Sequence, residues 1–132
     1  MPRIVNMRRN PVAPYIYCGR AMPELKASGI PAQQDSPLGN PFKLTGRGMK
    51  EVRSVLAAYR LHLFEMIRSN DPHVMLLMRE ITEDSVLACW CVDMCGEEIF
   101  VSEEKCHCQV IWKAWRWLQY KGNYDSRIPR IS

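Results

Sequence analysis

Ser85-Val86-Leu87-Ala88-Cys89-Trp90-Cys91, followed by Cys106-His107-Cys108-Gln109-Val110-Ile111, is the stretch whose reading decides the fold. Residues 85–91 are apolar nearly throughout, as strands buried in a parallel sheet are. From residue 106 the period changes. Val110, Ile111, Ala114, Trp115 and Leu118 fall on one side of a helix over about 106–120. A buried strand, an excursion and an amphipathic helix make one α/β unit.

Working outward, residues 3–7 and 14–18 read as short strands, separated by Asn10-Pro11 and closed by Gly19-Arg20. Residues 21–46 hold four of the nine prolines, with Gly29, Gly39 and Gly46. That is a long loop with one helical turn near Pro23-Glu24-Leu25-Lys26, and long loops in compact domains are often functional. A helix over about 48–69 carries Val52, Val55, Leu56, Tyr59, Leu63, Met66 and Ile67 as its apolar stripe. Asp71-Pro72 is an N-cap and first helical position, so a second helix runs over about 72–82. Residues 98–101 (Glu-Ile-Phe-Val) read as a short edge strand, and 121–132 as a flexible tail. The expectation is a single α/β domain spanning 1–132, its small sheet at least partly parallel and flanked by amphipathic helices.

With 132 residues and 47% apolar content, the chain has material for a real core without a disulfide scaffold. Its net charge of +4 is modest, spread over Arg3, Arg8, Arg9, Lys43, Arg47, Lys50, Lys121, Arg127 and Arg130 with no basic block. Nucleic-acid binding is permitted by that balance and not required by it. No stretch approaches the roughly 20 apolar residues of a membrane span. No apolar segment follows the arginines of the first ten residues, so a secretory signal is not expected. Crowded cysteines and Cys-x-Cys pairs suit a reducing, cytoplasmic setting better than a disulfide framework.

Five of the six cysteines and one of the three histidines lie between residues 89 and 108. Thiolate and imidazole are nucleophiles, redox groups and metal ligands, so this cluster is where chemistry is expected. On a strand, Cys89 and Cys91 share a face while Trp90 takes the other. Cys106 and His107 open the last helix, where unpaired N–H groups favour an anion. Cys89, Cys91, Cys106 and His107 are therefore the candidate catalytic residues. The same four are a candidate zinc set. Two arguments weigh against zinc: residues two apart on a strand lie about 6–7 Å apart at Cα, and helix neighbours diverge by about 100°. The plainest alternative treats the thiols as small buried hydrophobes.

A second constellation is Ser36-Pro37-Leu38-Gly39-Asn40-Pro41-Phe42. Pro41 holds Asn40 extended, and Gly39 is free to take positive φ, so the turn can present an amide and backbone N–H groups to a ligand. Arg20, directly after a strand, suits a phosphate or carboxylate. Arg20, Ser36, Gly39 and Asn40 are the candidate ligand-binding residues. Trp112 and Trp117 lie off the main stripe of the last helix, where they would either cover the rim of the core or stand exposed near Lys113 and Arg116.

These motifs, in order, resemble one family. Tyr15-Ile16-Tyr17-Cys18-Gly19-Arg20, the 36–42 loop, the Ala58-Tyr59-Arg60 helix, Leu87-Ala88-Cys89-Trp90-Cys91 and Cys106-His107 are similar to the uncharacterised family called domain of unknown function 4326. The resemblance spans about residues 4–118 and implies an α/β fold, with a distribution in bacteria, phages and other viruses. Its last motif reads C-H-G-D, so here Gln109 stands where the family carries an acid. If that carboxylate were a base or a ligand, activity here would be altered or lost. Insertions at about 21–35 and 92–105 flank the site. The leading expectation is a nucleotide-, nucleoside- or base-processing enzyme binding a small anionic ligand. The alternative is a non-enzymatic nucleic-acid- or protein-binding module with structural or zinc-bound thiols.

Overall fold

The computed structural model describes residues 1–42 and 48–124, with side chains described to residue 120. Four strands form one mixed sheet in the order β2-β3-β1-β4: β1 (Arg3–Asn6), β2 (Ile16–Tyr17), β3 (Val86–Cys89) and β4 (Met94–Cys95). β3 lies between β1 and β2 and is parallel to both, pairing Ile4 with Leu87 and Ile16 with Leu87. β4 is antiparallel to β1. The helices are α1 (Met49–Arg68), α2 (Pro72–Glu80), α3 (Glu98–Val101) and α4 (His107–Tyr124). The fold is the expected small α/β sheet with parallel strands at its centre.

Alternation along the strands divides the core into two faces. Ile4, Leu87 and Cys89 pack on the helical side against Tyr59, Leu63, Val74, Met78, Ile111 and Trp112. Val5 and Ala88 point the other way, against Met7, Ile30, Tyr15, Tyr17 and Trp90. That second face is covered by the 21–35 excursion, tied by the pairs Met22–Gln33 and Leu25–Ile30 around a 3-10 turn at Lys26–Ser28. Leu56, Tyr59, Leu63 and Ile67 of the expected α1 stripe are buried. Asp71 caps α2 as its sequence predicts, accepting from the N–H groups of His73 and Val74.

Three sequence expectations change. Glu98–Val101 is a helical turn, not an edge strand, because β4 already occupies the free edge of β1 and only Ile99 of the four is fully buried. The chain reaches that turn through Gly96 at φ +62°, a left-handed corner that a β-carbon would strain. The backbone of α4 continues to Tyr124, so residues 121–124 are helical where a tail was expected, and 125–132 lie outside the described residues. Trp112 is fully buried, donating its indole N–H to the Arg3 carbonyl at 3.3 Å. Among the described residues no helix is long and apolar enough to cross a membrane.

Candidate functional site

The site forms where β3 stops. Pairing with β1 ends at Asn6–Cys89, and the chain bends through Trp90 and Cys91. Asn6 holds this bend, its Nδ2 donating to the Cys91 carbonyl at 3.3 Å. Cys89 turns toward α4, and its sulfur lies 3.2 Å from that of Cys106. Trp90 takes the opposite face, its indole N–H donating to the Tyr17 hydroxyl at 3.0 Å. The bend returns Cys91 to its neighbours, so the sulfurs of Cys89, Cys91 and Cys106 all lie within 4.8 Å of one another. Cys89 and Cys106 are buried and Cys91 is exposed.

Cys106 stands immediately before α4. Its sulfur accepts the Cys108 N–H at 3.4 Å, using a first-turn donor that the helix cannot satisfy itself. Gln109 completes the cap. Its Oε1 accepts from Lys105 N–H at 2.6 Å and Cys106 N–H at 3.2 Å, while its Nε2 donates to the carbonyls of Ile99 and Glu103 at 3.3 and 3.4 Å. This side chain is fully buried and anchors the loop between α3 and α4. Its amide contacts account for it as a structural group.

His107 points back at β2. Its Nε2 lies 2.5 Å from the Cys18 carbonyl, which can only accept, so Nε2 carries the proton and Nδ1 is directed at Cys106, 4.0 Å from its sulfur. The ring meets Tyr59 edge-on at 5.2 Å. The Cys106 thiol is held well below its ordinary range, first by hydrogen bonding from Cys108, then from Cys89 and Cys91, with His107 adding to these against burial. Burial alone would lower His107, but the hydrogen bond and charge of Cys106 together with the Cys18 carbonyl raise it to about 9. Burial pushes the Cys108 thiol up. The corner thus sets a thiol shifted down beside an imidazole shifted up.

The 36–42 loop packs against the end of β2. Ser36 N–H donates to the Gly19 carbonyl at 3.0 Å, and Gly39 N–H to the Ser36 carbonyl at 2.9 Å. Gly39 does not adopt positive φ; its role is close approach, since a β-carbon there would sit 3.0 Å from the Ser36 carbonyl oxygen and 3.1 Å from that of Gly19. The Ser36 hydroxyl accepts the Leu38 N–H at 3.1 Å, closing the turn. Arg20 donates through Nε and Nη2 to the Asn40 carbonyl at 3.2 and 3.0 Å, and Asn40 Oδ1 accepts the Phe42 N–H at 2.9 Å. Tyr59, from α1, donates its hydroxyl to the Leu38 carbonyl at 2.7 Å.

A cavity of about 300 Å³ opens between these parts, lined by Tyr17, Gly19, Arg20, Ala21, Met22, Asn40, Trp90, Cys91 and His107. A smaller one of about 130 Å³ adjoins it, with Val52, Val55, Leu56, Lys105 and Cys106 in its wall, and shares Asn40, Cys91 and His107. Arg20 and Asn40 therefore stand at the larger cavity with Cys91 and His107, and Cys106 lines the smaller one. Ser36 and Gly39 lie behind it as turn residues, and Cys89 sits beneath Cys106. Sequence reasoning missed Tyr17 and Trp90 as cavity walls, although their alternation with Cys18 and Cys89 carried that signal. Among the described lining residues of either cavity there is no carboxylate; the titratable side chains there are Tyr17, Arg20, Cys91, Lys105, Cys106 and His107.

For metal binding, the three sulfurs form the compact donor group among the described residues, and His107 is not part of it. Trp117 is partly exposed and packs edge-on against Phe64 at 5.8 Å. Comparison with curated proteins and with solved structures finds no match. A family model does match, over residues 5–117, which takes in both strand ends, the 36–42 loop and the start of α4. On that coverage the chain belongs to the family described as domain of unknown function (DUF4326).

Proposed function

We propose that this chain is a small enzyme that processes a nucleotide, nucleoside or nucleobase, with polar chemistry at the corner where Cys91, Cys106 and His107 meet the cavity. The observation that carries this reading is the lining of the larger cavity: an aromatic wall, a guanidinium, an amide and a thiol–imidazole floor face one volume of about 300 Å³. That size lies at the small end of ordinary ligand pockets. Tyr17 and Trp90 offer π surface to a base, and stacking of this kind is worth about 1–3 kcal/mol per base. Arg20 keeps donors beyond the two already used on Asn40, and together with the α4 N-terminus it favours a phosphate or other anion. Free thiols at six positions fit a reducing cytoplasm. A bacterial or virus-encoded origin is the part of the proposal that rests on the family's distribution.

Thermal-shift screening of the full chain against nucleotides, nucleosides and dinucleotides tests the proposal. A ligand at 100 times its Kd stabilises by about 2.7 kcal/mol, a shift of several degrees. Trp90→Ala and Arg20→Ala should each weaken that shift. No stabilisation by any of these ligands would favour the alternative, a non-enzymatic module that binds nucleic acid or protein.

A further inference from the structure

We propose that Cys89, Cys91 and Cys106 form a zinc site, with three sulfur ligands and a fourth coordination position facing the cavity beside His107. The inference deepens the functional reading by naming what stands at the cavity floor, but it rests on the sulfur geometry and holds whether or not a nucleotide binds. Zinc–sulfur bonds of about 2.3 Å in a tetrahedron place the sulfurs about 3.8 Å apart. The observed sulfurs bracket that spacing, with one pair at 3.2 Å and all three within 4.8 Å of one another. Movements of about half an ångström per side chain would complete the site.

The surroundings suit metal-bound thiolates. Backbone N–H groups point at two of the sulfurs, from Cys91 to Cys89 at 3.5 Å and from Cys108 to Cys106 at 3.4 Å. Such outer bonds orient ligands and spread their charge. Zinc with three thiolates leaves one net negative charge, and it would lie against the N-terminus of an 18-residue helix, where unpaired N–H groups favour an anion. The two geometric objections fall away. Pairing in β3 ends at Cys89 and the chain bends at once, so Cys91 need not stay a full strand repeat from Cys89. His107 need not converge with Cys106, because the site uses only its neighbour. The Nε2–H bond to the Cys18 carbonyl instead leaves Nδ1 directed at the Cys106 sulfur, 4.0 Å away.

The exposure of Cys91 separates this reading from simple packing. A small hydrophobe is placed to be buried, yet Cys91 is exposed and lines both cavities while its sulfur joins two buried ones. A three-sulfur ion with its fourth position toward a cavity is the arrangement of an open site, where zinc can polarise a bound oxygen.

Elemental analysis of the full chain purified without chelator is the test. The expected result is about one zinc per chain, falling to background in Cys91→Ser and retained in Cys95→Ser and His107→Ala. Because Cys89→Ser alters a buried position, the wild-type chain provides a second measurement. Stripped by chelator and titrated with cobalt, it should show sulfur-to-cobalt charge-transfer bands with an endpoint at one equivalent. Background zinc with no such bands would overturn the proposal, as would full metal content in Cys91→Ser. Nucleotide stabilisation measured on the stripped chain reports on the functional reading separately.

Discussion

Gln109→Ala is the sharpest test of how the candidate site is held. The wild-type side chain is fully buried and makes four hydrogen bonds, two accepted by Oε1 and two donated by Nε2. The accepted pair caps α4, a contribution of about 1 kcal/mol in typical helices. Alanine would leave the N–H groups of Lys105 and Cys106 and the carbonyls of Ile99 and Glu103 without this partner, those of Cys106 and Ile99 in buried surroundings and those of Lys105 and Glu103 partly reached by solvent. Each orphaned buried group costs about 1–3 kcal/mol before relaxation. The two donated bonds, at 3.3 and 3.4 Å, are long and count least. The sum comes to about 3 kcal/mol, or a fall in Tm of about 10 °C for a chain of this size. Gln109→Glu keeps both accepted bonds and adds a charge where the helix N-terminus favours one. It loses the two donated bonds and sets carboxylate oxygen near two carbonyls, for a net cost of about half that of alanine. Thermal and urea denaturation followed by circular dichroism should give the order wild type, Glu, Ala. A loss below about 1 kcal/mol in Gln109→Ala, or a glutamate variant less stable than the alanine one, would refute the capping argument.

Tyr59→Phe should cost about 1–2 kcal/mol in urea denaturation, because it orphans the Leu38 carbonyl beneath the 36–42 loop while leaving the ring on His107 in place. Gly39→Ala should cost about 1–3 kcal/mol and weaken any ligand shift, since its β-carbon would meet two backbone oxygens that cannot move aside singly. Glu104 gives a pH limb. Burial opposes its ionisation, but Lys113 and Arg60 outweigh this and hold its carboxyl below the ordinary glutamate range. Its folded pKa is therefore depressed, so its contribution is complete above the unfolded pKa and is lost as pH falls through the folded one. Glu104→Gln should lower Tm at pH 7, with the difference from wild type shrinking below about pH 4.

The parts of the fold that the sequence predicts well are those where one periodicity acts alone. The 3.6-residue stripe of α1, the Asp71-Pro72 start of α2 and the apolar run of β3 are local signals, and each produces its element within a residue or two. Glu98–Val101 escaped because its β-branched and aromatic residues favour a strand, while the place beside β1 was filled by Met94–Cys95. Which strand claims an edge is a property of the whole sheet. Trp112 escaped for a related reason. It lies off the main stripe of α4, yet α4 crosses the sheet so closely that the indole reaches the Arg3 carbonyl.

The site divides along the same line between local and non-local causes. Strand alternation sets Cys89 against Trp90, and helix placement sets Cys106 at an N-terminus; both are readable from spacing. Arg20 on the Asn40 carbonyl is not, because it joins residues 20 apart in sequence across the end of the sheet. Gln109 is the instructive case between them. Read by residue type, it is a neutral amide at a position where the family resemblance implies an acid. Read by position, it stands three residues after Cys106, where a side-chain oxygen reaches back to the N–H groups before the helix, as in a capping box. An amide oxygen accepts those hydrogens as a carboxylate oxygen does, though without its charge, so a cap forms with either. What the amide adds is a pair of donors to Ile99 and Glu103, which a carboxylate could not supply. Gln109 therefore ties the start of α4 to the segment before it through both ends of its amide, which makes it a positioning residue for Cys106 and His107.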